Sequence, residues 1–306
     1  MNAPLDNSTF RNALAASERV NWRVEDLIGP GRMLDFTRPF MPEALARTSD
    51  IACLSPAERL AFNQIRGHEY LYIFGLVEEF ILPFVMDHAR PELGADDWRD
   101  RALLQFAAEE AKHIHLFKCF REAFLSGFGT PVEVIGPASA VADKVLSHTP
   151  LGVALTILHI EWMTQRHYNE SVRDNGDLDP LFRSLLKHHW MEECQHAQLD
   201  TEIVKALAAS MAPEEIEKGI EDYFAIGMFL DAGLAQQGEF NIAALEQACN
   251  RRFSAAERDE IAAAQQGAIR WTYLGSGMTH PKLLETVEAI FPGGRAKVEA
   301  VAPAFC

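Results

Sequence analysis

Apolar positions recur at three- and four-residue spacing along most of the chain, and no stretch alternates apolar with polar for more than a few residues. The pattern predicts an all-α protein. Ser55-Pro56, with Glu58 three residues after the serine, is a helix-start signal, and the helix it opens is expected over 56–87. Pro91, Gly94 and Asp96 mark a turn. The next helix spans about 97–126 and is stopped by Gly127-Phe128-Gly129-Thr130-Pro131. A loop and a short helix near 138–147 cross to a third long helix, opened by Pro150 and turned by Asn175-Gly176. Asp179-Pro180 opens a fourth, with neither Gly nor Pro over 181–212. Pro213 starts a fifth, to about 237. Ser254-Ala255-Ala256-Glu257 caps another, to about 273. Gly275, Gly277 and Pro281 precede a last helix over 281–290. The segment 1–54, broken by Pro4, Pro30, Pro39 and Pro42, reads as irregular structure with a short helix or two wrapping the rest.

Polar residues inside the apolar helices change this picture. Glu78 and Glu79 sit in the middle of the apolar run 70–86. Two carboxylates at mid-span are costly in lipid, so the run reads as a helix buried in a bundle, its carboxylates neutralised by cations. In Lys187-His188-His189-Trp190-Met191-Glu192-Glu193-Cys194-Gln195-His196, the residues His189, Glu193 and His196 fall at i, i+4 and i+7, on one helical stripe. Glu110 and His113 repeat the Glu-x-x-His core. With 28 glutamates and 11 histidines in 306 residues, chance alone supplies about one such pair. What precedes each pair is therefore the stronger signal. Glu161 lies 32 residues before Glu193, and Glu78 and Glu79 lie 32 and 31 before Glu110. That is half a helix, a turn and half a returning helix, so each lone glutamate can face a Glu-x-x-His across an antiparallel pair. Two such pairs can grip two metal ions.

For the first ligand, the equal spacing points to Glu78. Pro83, which frees the carbonyl of Glu79 and can distort the helix there, points to Glu79, and Glu79 is preferred with Glu78 as the alternative. Glu109 and Glu192 are turned about 100° from their neighbours and read as supporting or surface groups. His115, His159 and His167 read as structural, and no catalytic group beyond the metal ligands is expected.

The charge, with 28 Lys and Arg against 44 Asp and Glu, is −16. It argues against nucleic acid and against an anionic membrane surface. Five cysteines without a Cys-x-x-Cys fit free thiols in a reducing compartment. Asp6 and Glu18 with no apolar core between them argue against a secretion signal. A cytoplasmic protein with no membrane association is the expectation.

Over about 56–210 the chain resembles the ferritin-like di-iron carboxylate proteins, with the 127–149 crossover joining two hairpins. His189, one turn before Glu193, resembles the extra histidine ligand of the p-aminobenzoate N-oxygenase family. The resemblance implies Glu110, His113, Glu161, His189, Glu193 and His196 as iron ligands, with Glu79 or Glu78 completing the set. The expected architecture is a single domain over 1–306: a ferritin-like helical bundle with additional C-terminal helices over about 213–290.

Four carboxylates with two or three imidazoles suit two iron ions, or manganese, better than zinc. The expected function is that of an O2-activating di-iron oxygenase or oxidase. It would act on a small organic substrate by N-oxygenation or C–H oxidation, with O2 as co-substrate and an external electron donor; a homodimer is compatible. The alternative is an iron-handling ferroxidase or storage protein. Tyr223, Phe224, Ile226, Met228, Phe229 and Leu230, with Gly227 and Gly233, read first as a packed core helix and second as a pocket wall. Residues 275–280 read as a loop over the site or a turn.

Overall fold

The computed structural model describes residues 7–306. The expectations that touch 1–6, including the Pro4 break and the absence of a signal read partly from Asp6, lie outside the described residues. Every regular element among the described residues is helical. Helix α1 (Asn7–Arg19) is followed by the single turns α2 (Val24–Leu27) and α3 (Glu43–Ala46). The long helices are α4 (Pro56–Ala89), α5 (Asp97–Phe128), α7 (Pro150–His167), α8 (Pro180–Ala209) and α9 (Pro213–Ala248), with the short α6 (Ala138–Leu146) between α5 and α7. Then come α10 (Ala255–Arg270), α11 (Ser276–Met278), α12 (Pro281–Ile290) and α13 (Gly294–Val301).

The helix starts follow the sequence signals, because each cap satisfies amides that the first turn leaves free. The Ser55 side chain accepts from the Glu58 amide at 3.4 Å, and Glu58 accepts from the Ser55 amide at 2.8 Å. Asp179 accepts from the Phe182 amide at 2.6 Å to open α8. Gly129, at φ +74°, closes α5 in a left-handed conformation.

Helix α7 ends just before Asn175-Gly176 as expected, although its last stretch after His167, Tyr168–Val172, is wound as a π-helical turn. Other ends depart from expectation. Helix α9 runs through Gly233 and Gly238 to Ala248. Its Gln237 and Asn241 are fully buried, and Gln237 bonds the backbone of Glu133 and Ile135. Tertiary contacts thus carry the helix past its glycines. The residues between α10 and α12 do not break but form a second π-helical turn, Trp271–Gly275, leading into α11.

Helices α4 and α5 pair along their length, as do α7 and α8. The connection 129–149, with α6 laid on α4, joins the two hairpins. Two helical hairpins with one long crossover make a ferritin-like bundle. Helix α1 covers the α5–α8 face, while α9 covers α4 and α7 and carries α10 on its back. The irregular stretch before α4 is held by α4 side chains. Asn63 accepts from the amides of Phe40 and Met41 at 2.8 and 2.9 Å, and Gln64 donates to the carbonyls of Phe36 and Arg38 at 2.8 and 2.9 Å. Without these bonds the buried backbone of that stretch would lack partners. Among the described residues no helix is long and apolar enough to cross a membrane.

Candidate metal centre

The four bundle helices bring seven buried side chains to one place, none more than 3 % exposed. Glu78 comes from α4, Glu110 and His113 from α5, Glu161 from α7, and His189, Glu193 and His196 from α8. They form two groups, Glu78–His113–His189–Glu193 and Glu110–Glu161–Glu193–His196, and within each group the donor atoms lie within 4.8 Å of one another. Glu193 belongs to both. Its Oε1 is 2.5 Å from His189 Nε2 and 3.3 Å from His113 Nδ1, while its Oε2 is 2.8 Å from His196 Nδ1. One carboxylate therefore presents an oxygen to each group. Glu110 Oε1 also lies between them, 2.8 Å from His196 Nδ1 and 3.9 Å from His113 Nδ1.

The preference for Glu79 is corrected by this geometry. Glu79 is exposed and takes no part in either group; Glu78 does. Pro83 frees a backbone carbonyl, which does nothing to turn the Glu79 side chain inward. The one-residue step from Glu78 rotates it about 100° off the face that meets α5.

Glu78 Oε2, Glu110 Oε2, Glu161 Oε2 and His113 Nδ1 are buried without a hydrogen-bond partner. Buried polar atoms are otherwise nearly always paired, and four such atoms in one place fit the ligand shell of cations. The donor set, four carboxylates and three imidazoles, suits two divalent ions of the iron or manganese type. In the metal-free chain, burial pushes the Glu78 carboxyl well above its ordinary range, helped by Glu110 and Glu193. Burial and Glu193 do the same to Glu161. Burial opposes the charge on Glu193 too, but His189, His196 and His113 outweigh it and hold this carboxyl well below the ordinary range. His113 is lowered to about 3 by burial. Burial also opposes charge on His196, yet Glu193, Glu109 and Glu110 raise it well above the usual value.

Glu109 and Glu192 are more than surface groups. His113 Nε2 lies 2.8 Å from Glu192 on α8, and His196 Nε2 lies 2.8 Å from Glu109 on α5. Each glutamate next to a ligand candidate thus accepts from the histidine of the opposite helix. With the proton held on Nε2, Nδ1 presents its lone pair to the centre. The support continues outward. Lys112 bonds Glu192 and sits 4.0 Å over the Trp22 ring, and the Ser17 hydroxyl of α1 donates to Glu109. Trp22 stacks on His113, Phe106 on His196 at 4.0 Å, and Phe74 and Phe117 stand edge-on to His189.

Sequence reasoning missed Asp200, 1 % exposed, whose Oδ2 has no partner. Burial, with Glu110 and Glu193 acting against His196, holds its carboxyl well above the ordinary range. The signal was present: Asp200 is one turn beyond His196 and extends the same stripe. His159 and His167 are buried and fully bonded, the first to Tyr223 and the Tyr273 carbonyl, the second to Tyr70 and Ser276. His115 is exposed. Cys194 meets Gln165 Oε1 at 3.1 Å, and burial raises its thiol to about 11.

Beside the centre lies a small, partly enclosed apolar cavity of about 60 Å³ between α4, α7, α9 and the crossover. Of the residues named for a pocket wall, Phe229, Leu230 and Gly233 line it. Tyr223 and Ile226 are packed core, and Met228 is 67 % exposed. Residues 275–280 pack on α7 instead of looping over the site.

No protein-family model matches the chain, and no curated protein matches it. Among solved structures, the chain is similar to an R2-like ligand-binding oxidase with an aerobically reconstituted Mn/Fe cofactor (12 % identity, 87 % of this chain and 92 % of that one, TM-score 0.44). It is also similar to a single-residue mutant of such an oxidase with a Mn/Mn cofactor (14 %, 87 % and 91 %, 0.43) and to the same mutant with an Fe/Fe cofactor (15 %, 86 % and 92 %, 0.42). So distant a likeness lends no weight to a function.

Proposed function

We propose that this chain is a non-haem di-iron oxidoreductase that activates O2 and oxidises a small organic substrate. The observation that carries the reading is the pair of buried ligand groups sharing Glu193, with carboxylate and imidazole atoms left unpaired toward their common centre. In this reading Glu78, His113 and His189 would hold one ion and Glu110, Glu161 and His196 the other, with Glu193 offering an oxygen to each. Bound iron supplies the electrons that activate O2, or manganese takes one of the places. The chain does the rest. Glu192 and Glu109 fix the His113 and His196 rings in the orientation that ligation needs. Phe74, Phe106, Phe117 and Trp22 keep water from the imidazoles. Four carboxylates balance the charge of two divalent ions. Repeated turnover would need an external electron donor.

His189 supports the finer reading. It adds a third imidazole to a six-ligand pattern, as in the p-aminobenzoate N-oxygenase family, and so favours N-oxygenation over C–H oxidation at the same site. Iron handling has less in its favour, because the space beside the ligand groups is lined by apolar side chains, which offer an iron oxide mineral no ligands. The test is anaerobic loading with ferrous iron, metal analysis, and measured O2 uptake. The reading expects two irons per chain and O2 uptake that ends when those sites are oxidised. Continued iron uptake with mineral growth would shift the reading to iron handling, and failure to bind iron would overturn both.

A further inference from the structure

We propose that the small cavity between α4, α7 and α9 is a dry chamber for O2, through which the gas reaches the metals while water is kept back. The inference rests on the oxidase reading above and names the resting place of its co-substrate. None of the seven ligand candidates is more than 3 % exposed, so O2 must cross protein to meet them. The cavity stands on that way. Its inner wall is buried. Phe74 lies one turn before Glu78 on the same face of α4 and stands edge-on to His189, with ring centroids 5.4 Å apart. Val77 and Ile160, also in the wall, immediately precede Glu78 and Glu161. The outer wall, formed by Ile135, Val141, Phe229 and Leu230, is half-buried. The chamber therefore lies between side chains that reach solvent and the ligand groups. Those outer side chains are hydrocarbon, so moving them aside to admit a gas breaks no hydrogen bond.

Size and lining select the occupant. The cavity is about 60 Å³. An apolar cavity of roughly 150 Å³ stays dry and takes a benzene or a xenon atom, while a water occupies roughly 30 Å³ in the liquid. The chamber is thus too small for an aromatic ring and wide enough for a diatomic molecule. Its side chains are hydrocarbon or thioether, apart from the one hydroxyl of Tyr273. A buried water needs roughly two to four polar partners, and this wall offers it one. O2 makes no such demand and gains by leaving water for apolar surroundings. The void on the other side of His189 has the opposite character. It measures about 10 Å³, and Tyr70, Thr164 and His167 line it, which suits a single water.

The test begins with xenon, an apolar probe that makes no hydrogen bonds. Crystals of the metal-free protein under xenon pressure are expected to show an anomalous peak against Phe74, Val77, Ile160 and Leu230. Leu230→Trp, which fills the chamber from α9, should lose that peak. Val141→Phe fills it from α6 and serves if the first variant misfolds. In ferrous-loaded protein, stopped-flow absorbance gives the second-order rate constant for oxidation by O2. Filling should lower it by about tenfold or more, which corresponds to raising the barrier to passage by about 1.4 kcal/mol. Oxidation by ferricyanide, a charged oxidant that takes electrons at the surface, should keep the parent rate. Absence of xenon from the chamber would overturn the inference. So would filled variants that react with O2 at the parent rate, or that slow equally with both oxidants. Iron content separates the two claims. Iron-loaded protein that consumes O2 but takes no xenon sinks the chamber alone, whereas protein that takes up no iron sinks the oxidase reading and the delivery of O2 with it.

Discussion

His188 and His189 are adjacent and have opposite surroundings. His189 is 1 % exposed, with Nε2 3.1 Å from Glu78 Oε1 and 2.5 Å from Glu193 Oε1. His188 is half-buried, with Nδ1 2.7 Å from the Ser184 carbonyl and its ring edge against Trp22. His189→Ala is therefore expected to fold and to keep iron, because six candidate ligands remain. It should lose oxidation activity by roughly 10–100-fold, the usual scale for perturbing a metal's surroundings. His188→Ala should change stability by no more than about 1 kcal/mol and leave activity near that of the parent. Iron content and oxidation rate of the two variants, measured together, check this; equal and mild effects would remove His189 from the site. At this scale the sequence was legible where two signals agreed. Glu110, His113, Glu161, Glu193 and His196 were fixed by helical spacing and by the 32-residue interval. Glu78 was marked by that same interval, and the argument from Pro83 misled because it concerns backbone alone. The bonds from Glu109 and Glu192 to the opposite helix were not legible, since sequence spacing says which way a side chain leaves its helix but not what stands there.

The long helices could be read because their caps and periodicity are local. Ser55, Asp179 and Ser254 each start a helix by a bond that lies within three residues. What depended on distant contacts could not be read: the full length of α9, the covering position of α1, and the π-helical turns that end α7 and α10. Gly277 shows how closely α11 meets α7. A Cβ there would lie 2.3 Å from His159 Nε2. The ring cannot easily yield, since its nitrogens are held by Tyr223 at 2.7 Å and by the Tyr273 carbonyl at 3.1 Å. Gly277→Ala is expected to destabilise the protein by about 1–3 kcal/mol through overpacking. Chemical denaturation of variant and parent measures it, and a parent-like midpoint would show that α11 and α7 are not so tightly joined.

For the whole molecule, the buried carboxylates couple stability to pH and to metal. In the metal-free chain the folded state holds protons on Glu78, Glu161 and Asp200, raised mainly by burial, and on His196, raised by Glu193, Glu109 and Glu110 against burial. In the unfolded chain these groups have lost their protons above about pH 7. The native state then binds more protons, so stability falls as pH rises. The lowered groups, Glu193 and His113, act with the opposite sign only below the ordinary histidine range. The melting temperature of metal-free protein should fall as pH rises beyond the ordinary carboxylate and histidine ranges, and iron should flatten the slope by taking the place of the protons. A flat metal-free profile would mean that the carboxylates do not share one buried site. The central claim, that the bundle holds two metal ions with Glu193 between them, is tested most directly by anomalous diffraction at the iron edge from crystals of iron-loaded protein. The account predicts two peaks roughly 3.5–4 Å apart, one among Glu78, His113 and His189, the other among Glu110, Glu161 and His196, both in contact with Glu193. A single peak, or peaks away from Glu193, would contradict it.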